Sequence, residues 1–138
     1  MIIDSGCTAH ICPYLDSFTS YTPIDPVSIS AANKTSFAAI GRRDVELAWP
    51  NRKDMTRLIL RNVLHCPSTT FALVSMSAMN CAGYSFALDA GHLHIRAPKG
   101  ERIANVPVDD GLYRIQMSEP VAAVTTGGEL LSAQCAAA

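Results

Sequence analysis

The chain reads as an all-β domain of the sandwich or barrel type carrying one short helix. Three observations predict this. Short stretches of alternating apolar and polar residues, separated by turn signals, recur along most of the sequence. Only one segment combines helical spacing with cap residues at both ends. Finally, 138 residues, nearly half of them hydrophobic, are enough for a single modest core and too apolar for global disorder.

Taken in order, Ile2-Ile3 ends a strand that feeds a turn at Asp4-Ser5-Gly6. Residues 27–31 alternate with a period of two, Asn33-Lys34 forms a tip, and residues 36–40 return, which predicts a hairpin. Val45, Leu47 and Trp49 alternate with Glu46 and Ala48 until Pro50-Asn51 interrupts them. Residues 55–63 form a longer apolar-rich strand, broken at Cys66-Pro67. The helix falls over 75–82: Ser75 suits the N-cap, Met76, Met79 and Ala82 recur at helical spacing, and Gly83 suits a left-handed C-terminal cap. Strands at 84–88, 92–96 and 101–106 follow, with turns at Asp89-Ala90-Gly91 and Pro98-Lys99-Gly100. A last strand covers 112–115. Beyond about residue 121 the chain is small and poorly patterned, so the expected division is a domain over 1–117 and a flexible linker or appended tail over 118–138. Because Met1 runs directly into the Ile2-Ile3 strand, the segment is expected to derive from a longer polypeptide, with Met1 as an artificial start.

Composition narrows the function classes. Net charge is −1, with no run of lysine or arginine, which argues against a nucleic-acid or membrane-surface partner for this segment. The apolar runs are far shorter than a bilayer requires. Cys7, Cys12, Cys66, Cys81 and Cys135 are odd in number and irregular in spacing, and read as free thiols in a reducing, cytoplasmic compartment.

The chemistry concentrates at Asp4-Ser5-Gly6. A carboxylate at the end of an apolar strand is held on a turn that glycine permits, and the Ser5 hydroxyl can hydrogen-bond it and fix its orientation. Carboxylates hydrolyse peptides in pairs that share one proton around a water, one as base and one as acid, titrating as a coupled unit. A single chain must find a second aspartate, or two chains must meet. Asp89-Ala90-Gly91 and Asp109-Asp110-Gly111 are the internal candidates, both with turn composition; two-fold symmetry supplies the simpler answer, placing two copies of Asp4 face to face. His10 has two readings, a group tuning the aspartate or a structural tie for the loop after the turn, and the second is preferred. A zinc reading through Cys7, His10, Cys12, His65 and Cys66 suffers from spacing too tight for paired ligands and from the lack of a Cys-X-X-Cys; no metal and no organic cofactor is expected. Cys7 as nucleophile would need a positioned base and a lowered pKa. His92 and His94, two apart on one strand face, are expected to face solvent.

Asp4-Ser5-Gly6-Cys7-Thr8-Ala9-His10-Ile11 resembles the Asp-Ser-Gly-small-X-X-His-hydrophobic signature of copia-type retrotransposon aspartic proteases. The resemblance continues through Pro23-Ile24 and residues 27–34, through Ala39-Ile40-Gly41 with Asp44-Val45, through Leu60-Arg61-Asn62-Val63-Leu64-His65-Cys66-Pro67 and Ala72-Leu73-Val74-Ser75-Met76 with the helix and Gly83-Tyr84 after it, to Gly111-Leu112-Tyr113. It implies a retropepsin-like closed β-barrel that dimerises, with Asp4 catalytic and Ser5 and Gly6 as its support. Ala31, Ala32, Asn33 and Lys34 would form the flap tip closing over an extended substrate. The implied substrate is the element's own Gag-Pol polyprotein, processed in a cytoplasmic virus-like particle. Three departures stand out: the tip reads Ala-Ala-Asn-Lys where the family often has Gly-Asp-Gly, Arg43 replaces a common glycine, and Ser75 follows Leu73-Val74 where retropepsins carry glycine. The competing expectation is a non-catalytic module, domesticated or structural, that keeps the barrel without needing two aspartates to approach.

Overall fold

The computed structural model describes residues 1–14, 18–30, 34–115 and 131–133. Among the described residues eleven strands and one helix follow in chain order: β1 (Ile2–Asp4), β2 (Ile11–Cys12), β3 (Phe18–Ser30), β4 (Ser36–Asn51), β5 (Asp54–His65), β6 (Leu73–Ser75), α1 (Met76–Cys81), β7 (Ser85–Asp89), β8 (His92–Arg96), β9 (Arg102–Asp109), β10 (Leu112–Tyr113) and β11 (Leu131–Ala133). The all-β expectation with a single short helix holds among the described residues.

Two sheets form. The larger runs β1-β6-β2-β5-β4-β3, with β11 added to β5, and the smaller is the antiparallel meander β10-β9-β8-β7. In the larger sheet β1 pairs parallel with β6, and β2 lies antiparallel to β6 and parallel to β5. The sheets meet at an antiparallel bridge between Ile2 and Arg114. Around that bridge Ile115 N–H donates to the Met1 carbonyl (2.8 Å) and the Met1 amine donates back to the Ile115 carbonyl (2.6 Å).

Alternation sets the faces. Along β4, Val45, Leu47 and Trp49 are buried while Glu46, Ala48 and Pro50 are half-exposed. Along β5 the buried positions are Leu58 and Leu60, then Val63 and His65, so the inward phase slips by one residue. A bulge absorbs the slip: Val45 pairs with Leu60 but Arg43 with Val63, and Asn62 sits at φ 58. Asparagine is among the few non-glycine residues that take this left-handed conformation readily. Past the bulge the end of β5 is free to run beside β2. The main core draws on both sheets, Val45, Trp49, Leu58 and Val63 from the larger and Leu93, Ile95, Ile103 and Val106 from the smaller, with Met79 of the helix.

Two expected elements are shorter than the real ones: residues 36–40 and 45–49 belong to the single strand β4, and β3 extends well before residue 27. Strand β3 begins at Phe18 and passes through Pro23 and Pro26, residues that remove ladder donors; it lies at the sheet's edge, where proline is tolerated, with register shifts between Pro23 and Val27. Of residues 118–138 only Leu131–Ala133 is described, and it pairs parallel with Leu58, Ile59 and Leu60. The thiol expectation also needs correction. Cys7 and Cys66 are free, but Cys81 is disulfide-bonded, so the inference of a reducing compartment from five free thiols loses that support.

Candidate functional site

Asp4 closes β1, half-buried, opposite Ser75 at the end of β6. Gly6 N–H donates to Asp4 Oδ1 (2.7 Å), a local aspartate turn that aims the carboxylate. The orienting bond thus comes from the Gly6 backbone, whereas the expectation gave that role to the Ser5 hydroxyl; Ser5 itself is exposed. A Cβ at position 6 would lie 3.2 Å from Asp4 Oδ1, so glycine serves the close approach of backbone to carboxylate.

The turn is braced from behind. His10 is 3 % exposed, and its Nδ1 accepts the Ser75 N–H (2.9 Å) while its carbonyl accepts from Leu64 N–H (2.9 Å). Burial lowers its pKa to about 4, which keeps the ring neutral and Nδ1 free to accept. His10 thus ties the loop after the turn to the ends of β5 and β6. Ser75 binds the same loop from the other side: its hydroxyl donates to the Cys7 carbonyl (2.7 Å) and accepts the Ala78 N–H (3.1 Å) as the N-cap of α1. Ser77 Oγ also reaches the Cys7 carbonyl (3.3 Å). Its N-cap role was legible; its grip on Cys7, 68 residues away, left no signal in the sequence. The serine that departs from the retropepsin glycine thus gives the brace a different chemistry, a side chain where a bare backbone was expected.

Cys7 completes the loop. Its thiol donates weakly to the Asp4 carbonyl (3.7 Å), and its pKa is raised to about 11, by burial first and then by the charge of Asp4. A thiol held protonated this firmly is no nucleophile. Cys66 is likewise pushed up to about 11 by burial.

Of the expected flap residues, Ala31, Ala32 and Asn33 lie outside the described residues; Lys34 is exposed at φ 66. The arms below the tip pair Ile29 with Phe37 and Ser30 with Ser36. Ile24, Ile29 and Phe37 pack on a small cluster of Ile11, Ala39 and Cys66, which anchors the hairpin beside β2 and the braced loop. Lower on the hairpin, Gly41 accommodates Tyr21, whose ring atoms would stand 2.3–2.4 Å from a Cβ at that position. Tyr21 hydroxyl and His65 Nδ1 share a hydrogen bond (3.1 Å), and the Arg43 guanidinium lies 3.7 Å from the Tyr21 ring centroid. Arg43, another departure from the family pattern, is thereby placed as a cation stacked on that ring.

The internal carboxylate candidates are elsewhere. Asp89 pairs with His92 across the β7–β8 turn, and Asp110 occupies the β9–β10 turn at φ 49, followed by Gly111 at φ 76. Both belong to tight turns of the smaller sheet. His92 and His94, expected to face solvent, are half-buried and stacked with centroids 6.3 Å apart, and His92 Nδ1 bonds Asn105 Oδ1 (2.8 Å).

A mostly β chain with a barrel-like pair of sheets and one carboxylate braced at the end of its first strand defines the class. The chain belongs to the Pol polyprotein β-barrel domain family, whose model matches residues 1–84, from Met1 through β1–β6 and α1 to Tyr84. It is thus a domain of a retrotransposon Pol polyprotein. No curated protein matches it.

Proposed function

We propose that this domain is an aspartic endopeptidase of the copia type, that it acts as a homodimer, and that it processes the polyprotein to which it belongs. The observation that carries the reading is the aimed carboxylate of Asp4: half-buried at a strand end, oriented by Gly6 N–H, and followed by a loop that His10 and Ser75 tie down through the Ser75 N–H and the Cys7 carbonyl. A surface aspartate in an ordinary turn has no use for two long-range ties. In a dimer the Asp4 carboxylates of both copies share a proton and hold one water between them. The ionised carboxylate takes a proton from that water as it attacks the peptide carbonyl, and the protonated one donates to the carbonyl oxygen. The β3–β4 hairpin covers the peptide and offers backbone groups to it.

Asp4→Asn keeps the shape and removes the base. The expected result is a folded protein, with unchanged circular dichroism, that no longer cleaves a peptide spanning a polyprotein junction. Cleavage that persists in the purified variant would falsify the assignment.

One observation favours the alternative of a non-catalytic module. Strand β1 has β6 along one edge and the Arg114 bridge along the other, so a twin cannot join by adding a strand there. Dimerisation must then bring the Asp4 turns together loop to loop. A strictly monomeric protein at all concentrations supports the module.

A further inference from the structure

The β4–β5 hairpin carries its charges in two groups. Along its length Arg57 is paired with Glu46, and Arg61 with Asp44 (2.6 Å). At its far end the two-residue turn Arg52-Lys53, its flanks Asn51 and Asp54, and Arg102 at the start of β9 line one open hollow of about 460 Å³. Three cations there face one carboxylate, and among the described residues none of the three has an ion-pair partner.

Two further features mark the hollow. The Arg102 Nε is buried and has no hydrogen-bond acceptor among the described residues. A buried donor on a charged group is costly to leave unmade, so the protein's own described groups leave this guanidinium incompletely satisfied. Asn51 fixes the arginine's position, its amide donating to the Arg102 carbonyl (2.9 Å) and to Thr56 Oγ1 (3.2 Å). Meanwhile Arg52 sits at φ 60, a left-handed position that glycine would occupy more easily. Its side chain is kept at a backbone cost.

We propose that this hollow binds a phosphate group, presented on a small phosphorylated ligand or along a nucleic-acid strand. Two uncompensated positive charges match a phosphate better than a lone carboxylate, and guanidinium forks bind its oxygens in pairs. The site is independent of Asp4. The Asn51–Asp54 pair lies at one end of the hairpin and the Gly41–His65 pair at the other, on the order of 30 Å away along the strands. The overall charge of −1 hides such a site because the acids lie elsewhere on the chain.

The test is calorimetric titration of the whole chain with pyrophosphate and, separately, with a short single-stranded oligonucleotide. The variants are Arg102→Gln and the exposed double variant Arg52→Gln/Lys53→Gln, which touches no core residue. Saturable binding by the wild type, weakened about tenfold or more in each variant, is the expected result. If the strand is the ligand, it binds more tightly than pyrophosphate, and each lost cation lowers the log–log salt slope by about 0.7. Tighter pyrophosphate binding identifies a small ligand, with the site unchanged. Wild-type protein that binds neither probe, or a double variant that binds as well as the wild type, overturns the proposal.

Discussion

Gly6 acts on Asp4 by what it lacks, and His10 acts on the loop that follows by staying neutral. A methyl at position 6 would press on Asp4 Oδ1 from 3.2 Å, so Gly6→Ala turns the carboxylate away from its aim. Since reacting groups tolerate little misplacement, cleavage in this variant is expected to fall by about tenfold to a hundredfold in kcat/KM. The thermal midpoint, by contrast, should move little, because Gly6 is exposed. His10 contributes through its neutrality. Its pKa falls from 6.5 to about 4 on folding, so between those values the unfolded chain takes up a proton that the folded chain refuses. Stability is therefore full above pH 6.5 and declines as pH drops through that window, with a slope of up to about 1.4 kcal/mol per pH unit. Denaturant midpoints measured across the window should fall more steeply for the wild type than for His10→Gln, and identical profiles would refute the linkage. The candidate enzyme's acid limit is then set partly by unfolding rather than by its chemistry.

At the scale of elements, the β5 bulge decides where the site can form. Asn62 takes the left-handed backbone that lets the inward phase slip between Leu60 and Val63. Asn62→Gly should be tolerated, whereas Asn62→Val should cost on the order of 1–2 kcal/mol, measured by chemical denaturation, because a β-branched residue is strained there. A valine variant as stable as the wild type would remove the bulge from this account. Local signals carried much of the element map. Alternation located the Val45–Trp49 stretch of β4, an apolar-rich run located β5, flanking turns located β8, and the Ser75 and Gly83 signals bounded α1 at Met76–Cys81. The turns at Ala90-Gly91 and Asp110-Gly111 have the positive φ values their composition implied. What escaped was non-local. Nothing in Leu73-Val74-Ser75 announces that it will lie beside Ile2-Ile3-Asp4, and a one-residue phase slip inside an apolar run is hard to tell from a uniform strand. Pro23 and Pro26 concealed the first half of β3 for a physical reason: proline spoils a strand only where a neighbour needs its N–H.

For the whole molecule, the two sheets share one core, so neither is a free-standing unit. Residues 1–84 contain the family match and every residue of the Asp4 brace, yet Trp49, Leu58 and Val63 pack with Leu93, Ile95, Ile103 and Val106 from the smaller sheet. Each such side chain contributes roughly 1.5–3 kcal/mol when buried, more in sum than a domain's net stability. A protein ending at residue 84 should therefore lack a cooperative thermal transition, and a sharp one in calorimetry would show that the smaller sheet is dispensable. The aspartate motif was legible from its neighbours Gly6 and His10, but one chain offers one carboxylate at this site. Among the described residues Asp89 and Asp110 serve turns of the other sheet, and the proposal takes the second carboxylate from a second copy. Subunit mixing tests that claim most directly. Wild-type protein is titrated with Asp4→Asn protein while the initial rate of peptide cleavage is followed. A shared site predicts a rate that climbs more steeply than protein concentration for the wild type alone and falls as inactive subunits are added. A rate strictly proportional to wild-type protein and indifferent to the added variant, or no cleavage at any concentration, would contradict it.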